Sequence, residues 1–206
     1  MAISGPWWVS QFPTSNKLTD LEPAFQQKVL RFVHALRTAH AHVQISATRR
    51  PRKRAYLMHY SWCIWKHWHG ITPANVPEYH PKVPSEGTID IQWLHRTAAG
   101  QPDLPSSRSA AQQMVHLYDM MRLHIPPAFD LRGVHDSHHI QGKALDMTVS
   151  WHGGLKIAAP DGKIVEISSE PRDSTNADLI KVGAGYGVIH FLTVQKDPPH
   201  WSVDGH

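Results

Sequence analysis

The stretch SHHIQGKALD, residues 137–146, has two histidines before a single glycine and one aspartate after it. Imidazole and carboxylate groups are common ligands of transition metals, so this stretch is a candidate metal site. His139 and Asp146 are seven residues apart, which on one helix would separate them by about 10.5 Å along the axis. A turn is therefore needed to bring both to one ion, and Gly142 lies between them to allow it. We expect Asp146 to lie on the strand that follows this turn.

A catalytic zinc site takes three protein ligands and leaves one position for water. The segment DPPHW, residues 197–201, supplies a further histidine, His200, three residues after Asp197. The two prolines between them restrict the backbone and help to fix the carboxylate relative to the imidazole. The hypothesis that these two segments give together is a zinc site made of His139, Asp146 and His200.

The composition of the whole chain fits one globular domain. The 206 residues are 41% hydrophobic and 18% charged, and the longest apolar runs are only a few residues. We expect no transmembrane helix, and the first residues lack the features of a signal peptide. The protein is therefore expected to be made in the cytoplasm and to act elsewhere only after export, lysis or injection. The single cysteine, Cys63, excludes an internal disulfide and is predicted to be buried among its aromatic neighbours.

The spacing of apolar residues changes between the two halves of the chain. Helical spacing dominates the first half, and alternation typical of strands dominates the second. Residues 70–105 are rich in proline and are predicted to form a loop-rich insertion within the domain. The predicted fold class is α+β, with N-terminal helices packed on a small, mostly antiparallel sheet that carries the zinc site. The predicted helices are 18–40 (capped by Asp20), 52–69, 106–122 and a short one before 186; the predicted strands are 42–48, 144–151, a hairpin at 155–167, and 187–192, with no element after 192.

Two motifs occur in this order: Ser137-x-His139-x-x-Gly142-x-Ala144-x-Asp146, and then Asp197-x-x-His200-Trp201. Together they resemble those of the LAS-type zinc peptidases, which include D-alanyl-D-alanine carboxypeptidases and the L-alanyl-D-glutamate endopeptidases of phage endolysins. The segment ISATR, residues 45–49, is similar to a family strand that ends in Ser-Gly-Tyr-Arg, although its alanine and threonine depart from that pattern. The resemblance covers roughly residues 20–60 and 106–203 and implies a LAS-type, hedgehog-like fold.

The resemblance implies a zinc peptidase that cuts the stem peptide of bacterial peptidoglycan. Asp197 is at the position of the family's general base, and an aspartate there is similar to what the L-alanyl-D-glutamate endopeptidases use. This slightly favours cleavage between L-Ala and D-Glu over D,D-carboxypeptidase cleavage. Arg50 stays open as an alternative to Arg49, because both lie in one basic run. The implied roles are zinc binding by His139, Asp146 and His200, general-base catalysis by Asp197, oxyanion or carboxylate binding by Arg49, and substrate binding by Ser137 and Trp201.

Two other functions remain open at this point. The first is a non-catalytic, zinc-stabilised module that binds cell wall on behalf of a phage or secretion particle, the partner expected to carry the protein to its target. The second is nucleic-acid binding through RRPRKR, residues 49–54, which we consider the weakest because no nucleic-acid module accompanies this run. His135, Asp136 and His138 are not expected to be metal ligands.

Overall fold

The structure is a computed structural model that describes residues 2–133, 136–191 and 197–206. These residues form an α+β structure with five α-helices and small, mostly antiparallel sheets, which confirms the predicted fold class at that level. The elements in chain order are β1 (Ala2–Ile3), α1 (Pro23–Thr38), β2 (His42–Ala47), α2 (Arg52–Lys66), β3 (Ile91–Gln92), α3 (Leu104–Leu117), α4 (His138–Gln141), β4 (Ala144–Ser150), β5 (Leu155–Ala158), β6 (Ile164–Ile167), α5 (Ala177–Gly185), β7 (Ile189–His190) and β8 (His200–Ser202).

The chain divides into two compact units. The first is made of Met1–Pro13 and Pro51–Ser137, and the second of Thr14–Arg50 and His138–His206. The segment predicted as a loop-rich insertion belongs to the first unit, where it holds 3-10 turns and β3. The second unit contains both motifs apart from Ser137, and it therefore carries the candidate site.

The second unit is built on a four-stranded antiparallel sheet in the order β2-β4-β8-β7. The apolar face of α1, with Phe25, Val29, Phe32 and Leu36, is buried in the same core as alternate residues of β4. β8 was not predicted, yet it pairs with β4 on one side and β7 on the other. This short strand is central. Its first residue, His200, lies opposite Asp146 on β4, and its carbonyl accepts from the N–H of Phe191 at 2.9 Å.

Helix boundaries differ from the predicted ones where local capping decides them. Asp20 was expected to cap the first helix, but it ends a 3-10 turn, and Glu22 is the N-cap instead. The Glu22 carboxylate accepts a hydrogen bond from the main-chain N–H of Phe25 at 2.9 Å. Likewise Asp103, and not a serine, caps α3 by accepting from the N–H of Ser106 at 3.0 Å.

The first unit has a core of aromatic rings and contains the single cysteine. Tyr56 on α2 contacts the rings of Tyr79, Trp93 and Phe129 at centroid distances of 5.4, 6.3 and 5.6 Å. The insertion therefore contributes two of these rings to a packed core. Cys63 is buried as predicted, and burial raises the pKa of its thiol to about 12.

Candidate metal centre

The pairing of β4 with β8 brings two of the predicted ligands together. Asp146 on β4 lies directly opposite His200 on β8 in the antiparallel register. His139 lies on α4, and the chain returns from it to β4 through Gly142, whose φ is +70°. The carbonyl of Gly142 accepts from the N–H of Glu22 at 2.9 Å, and a Cβ on this glycine would come within 2.9 Å of the same nitrogen. The turn predicted from sequence therefore exists and is pressed against the segment that starts α1.

The three predicted ligand atoms form a nearly equilateral triangle. His139 Nε2 lies 3.2 Å from Asp146 Oδ1 and 3.3 Å from His200 Nδ1, and the third side, His200 Nδ1 to Asp146 Oδ1, is 3.4 Å. His139 and His200 are 3% and 7% exposed, and Asp146 is half-buried. These atoms form a group that could hold a metal ion, as the sequence predicted.

Main-chain oxygens fix the orientation of both imidazole rings. Nδ1 of His139 lies 2.7 Å from the carbonyl oxygen of Thr48, and Nε2 of His200 lies 3.1 Å from the main-chain oxygen of His206. A neutral imidazole has one N–H, and these oxygens can only accept, so each ring donates its N–H away from the triangle. The nitrogens that face each other then carry lone pairs, and three acceptors at this distance favour a cation between them.

The ionisation of Asp146 suits such a site. Burial acts to raise the pKa of this carboxyl, but its close contacts with His139 and His200, whose rings are positively charged when protonated, outweigh burial and leave the pKa well below its ordinary value. Burial also acts to lower the pKa of His200, and here Asp146 outweighs it, so the pKa of His200 is raised. Asp146 is therefore a carboxylate at neutral pH, as a metal ligand must be.

Asp197 lies beside the triangle and not in it. Its Oδ2 is 3.9 Å from His200 Nδ1, and its side chain is half exposed. Partial burial and the negative charge of Asp146 raise the pKa of Asp197, while the positive charges nearby, including that of Arg50, oppose this shift. A carboxylate next to the ligands, with one side open and a raised pKa, is placed to accept and return a proton.

The two arginines of the basic run differ in their position. Arg49 is exposed, and its main-chain carbonyl accepts from the N–H of Ser15 at 2.9 Å. Arg50 is half-buried, its main-chain N–H donates to the carbonyl of His139 at 2.9 Å, and its charge acts on Asp197. The role that the resemblance assigns to Arg49 stays a prediction, with Arg50 as its alternative.

The predicted substrate-binding residues and His138 lie outside the triangle. Trp201 is fully buried, and its indole N–H donates to the carbonyl of Met147 at 3.1 Å, so it packs the core and offers no surface to a substrate. Ser137 is half-buried at the end of the first unit, and its substrate-binding role stays a prediction. His138 lies outside the triangle, with Nε2 at 3.0 Å from Asp204. His135 falls outside the described residues.

His190 is a histidine outside the ligand triangle. It is buried on β7, where its ring lies edge-on to that of Trp201 with a centroid distance of 4.6 Å. Its Nε2 lies 2.7 Å from the carbonyl oxygen of Pro198, so it ties down the segment between Asp197 and His200. The proline pair at 198–199 indicated a restricted segment here. Nothing in the sequence indicated that His190 contacts the carbonyl of Pro198.

Much of the basic run is used inside the first unit. Arg52 is buried, with Nε at 3.2 Å from Asp136 and its guanidinium 4.7 Å from the centre of the Phe129 ring. Arg54 donates to the carbonyl of Val9 at 2.7 Å. These internal contacts reduce the charge available to a polyanion, and they weaken the case for nucleic-acid binding.

Comparison with known proteins adds no relative: no family model matches the chain, and neither the curated proteins nor the solved structures give a significant match. In the part of the chain that the structure describes, every helix is too short or too polar to cross a bilayer. The chemistry of the site therefore rests on its own geometry.

Proposed function

We propose that this protein is a zinc-dependent peptidase with a LAS-type fold that hydrolyses the stem peptide of bacterial peptidoglycan. The observation that carries the proposal is the triangle of His139 Nε2, Asp146 Oδ1 and His200 Nδ1, with sides of 3.2–3.4 Å. Asp197 beside it supplies the group that a hydrolase needs in addition to a metal.

The size of the triangle suits zinc. Ligand atoms at about 2.0 Å from a tetrahedral ion are about 3.3 Å from one another. The three observed distances of 3.2, 3.3 and 3.4 Å lie around this value. Two histidines and one carboxylate also form a donor set that catalytic zinc sites use, with a fourth position left for water. Zinc held there supplies Lewis acidity and lowers the pKa of water to about 7.

The side chains around the triangle divide the remaining work. Asp197, as a carboxylate, accepts a proton from the attacking water and returns it to the amine of the cleaved peptide. The guanidinium of Arg50 is permanently charged and lies near Asp197, where it can stabilise the oxyanion or hold a substrate carboxylate. His190 holds Pro198 and so keeps Asp197 and His200 in their relative positions.

The substrate class comes from the resemblance of the two motifs to the LAS-type peptidases. Within that class, aspartate at 197 favours cleavage between L-Ala and D-Glu over D,D-carboxypeptidase activity. Such a protein must reach the cell wall, so a phage lysis system or a secretion system that delivers antibacterial proteins is the expected carrier.

Product analysis of digested muropeptides tests the proposal. Purified muropeptides are incubated with the zinc-loaded protein and with Asp197→Ala, and the products are identified by mass spectrometry. We expect the wild type to release a fragment with a new amino terminus at D-Glu. The variant is expected to retain zinc and to lose about 100-fold or more in rate, the usual contribution of a general base.

Failure of the wild type to release any amine-bearing fragment would overturn the peptidase proposal. If zinc binding and cell-wall binding persist in that case, the chain is the non-catalytic, zinc-stabilised module considered above. Release of D-Ala alone would retain the peptidase and change the scissile bond to that of a D,D-carboxypeptidase.

A further inference from the structure

We infer that the turn after β8, built on the buried hydroxyl of Ser202, is a positioning device for the metal ligand His200. This inference rests on the metal centre of the proposed function and not on its peptidase activity. It assigns Ser202 and Asp204 to metal binding although neither side chain contacts the triangle of ligand atoms.

The shape of the turn depends on one side chain. Ser202 is fully buried, and its Oγ accepts the N–H of Gly205 at 2.8 Å and the N–H of His206 at 3.1 Å. Asp204 reinforces the turn, because its Oδ1 accepts from the N–H of His206 at 3.1 Å and from the Ser202 hydroxyl at 3.4 Å. His138 on α4 contacts the carboxylate of Asp204 from the other side. Without Ser202 Oγ, the N–H of Gly205 loses this acceptor and the N–H of His206 keeps only Asp204.

The turn reverses the chain so that residue 206 comes back to the ligand His200. The main-chain oxygen of His206 comes to lie 3.1 Å from His200 Nε2, four residues after Ser202 and on the side away from the triangle. His139 has the equivalent support from the carbonyl of Thr48, at 2.7 Å. Both ligand rings are therefore oriented by a main-chain oxygen, but the one that serves His200 depends on the turn.

The position of the imidazole proton explains why this support matters. Asp146 Oδ1 lies 3.4 Å from His200 Nδ1, so it offers a competing acceptor inside the triangle. A proton on Nδ1 would occupy the lone pair that a metal needs. By accepting from Nε2, the main-chain oxygen of His206 keeps the proton outside and holds the ring plane toward His139.

The test compares zinc affinity among matched serine variants of the full chain. Ser202→Ala is expected to bind Zn²⁺ about 10-fold more weakly than the wild type, the lower range for loss of support behind a ligand. Asp204→Ala, at an exposed position, is expected to weaken binding in the same direction by a smaller factor. Affinity is measured by competition with a chromophoric chelator, with each variant kept below its own unfolding temperature.

The control is Ser174→Ala, which removes another buried hydroxyl from the same unit. Ser174 Oγ accepts from the N–H of Val149 at 2.7 Å and donates to the carbonyl of Met147, so its loss also costs stability. We expect the zinc affinity of this variant to stay within twofold of the wild type. Equal weakening by Ser174→Ala and Ser202→Ala would overturn the inference, because the effect would then be one of stability.

A second readout follows the proton itself. In metal-free protein, the ¹⁵N chemical shifts of His200 are expected to show protonation at Nε2 in the wild type and a larger fraction at Nδ1 in Ser202→Ala. Unchanged shifts together with unchanged zinc affinity would overturn the inference and leave the peptidase proposal intact. If the wild type lacks peptidase activity but binds zinc, and Ser202→Ala binds zinc more weakly, the inference holds and the proposed function fails.

Discussion

Two adjacent histidines on α4 have different surroundings, and single substitutions test whether their roles differ. His139 is buried with Nε2 in the ligand triangle, whereas His138 contacts Asp204. We expect His139→Ala to lose stoichiometric Zn²⁺ binding, because only two protein ligands remain. His138→Ala is expected to retain one equivalent of Zn²⁺. Metal content is measured by mass spectrometry of the dialysed proteins.

The pair of variants forms a matched control, since both remove an imidazole from the same short helix. Equal zinc loss from both would mean that the helix, and not the identity of the ligand, controls binding. Retention of zinc by His139→Ala would remove this residue from the site and with it the triangle.

The three ligands were predictable from sequence, while the choice between Arg49 and Arg50 stays open. Spacing across Gly142 and the second motif identified His139, Asp146 and His200, which the structure brings together. The preference for Arg49 rested on the similarity of residues 45–49 to the family strand, and the pairing of β2 with β4 is interrupted by a register shift between Ile45 and Ala47. A bulge of this kind changes which residue faces a given side, and alternation in the sequence does not reveal it.

The turn between α4 and β4 sets the distance between two ligands, His139 and Asp146. Gly142 has a positive φ and no room for a Cβ, whereas Gly153 has φ +67° and open space around its Cα. Gly142→Ala and Gly153→Ala should each lose about 1–2 kcal/mol of unfolding free energy from backbone strain. Gly142→Ala should lose more, because its methyl group meets the main chain at Glu22. Denaturant unfolding measures both.

The glycine pair also separates the site from general stability. Gly142→Ala is expected to weaken zinc binding, since His139 and Asp146 lie on either side of it, and Gly153→Ala is expected to bind zinc as the wild type does. The same zinc affinity in both variants would show that the turn does not set the ligand distance.

Elements with a strong periodic pattern were predictable, and short ones were not. β2 was predicted at residues 42–48 and occurs at His42–Ala47, because alternation over several residues is a local signal. β8 has three residues and follows two prolines, so it is too short for alternation to predict it. It is a strand because β4 and β7 bond to it on both sides, and this tertiary information is absent from the segment itself.

A partly buried histidine outside the metal site, His59, makes the stability of the protein depend on pH. His59 in the first unit is partly buried, and burial lowers its pKa against the opposing effect of the Pro127 carbonyl, which lies 2.8 Å from Nδ1. The unfolded chain then binds more protons below its ordinary pKa of 6.5. Stability is therefore retained above pH 6.5 and is lost as the pH falls below it.

The variant His59→Asn tests this assignment, because its amide N–H can still donate toward Pro127. We expect its unfolding free energy to fall less between pH 7 and pH 5 than that of the wild type. Urea unfolding at each pH supplies the comparison. Parallel pH profiles for the two proteins would assign the acid sensitivity to other histidines.

Metal binding should also be visible as stability of the protein, because the triangle joins α4, β4 and β8. A ligand that binds only the folded state stabilises it by about 2.7 kcal/mol when its free concentration is 100 times the Kd. We therefore expect Zn²⁺ to raise the unfolding temperature and to slow amide exchange along β4 and β8. Chelation should reverse both effects. His139→Ala should show neither, because it lacks one corner of the triangle. Stabilisation of that variant to the same extent as the wild type would place the bound zinc elsewhere in the molecule.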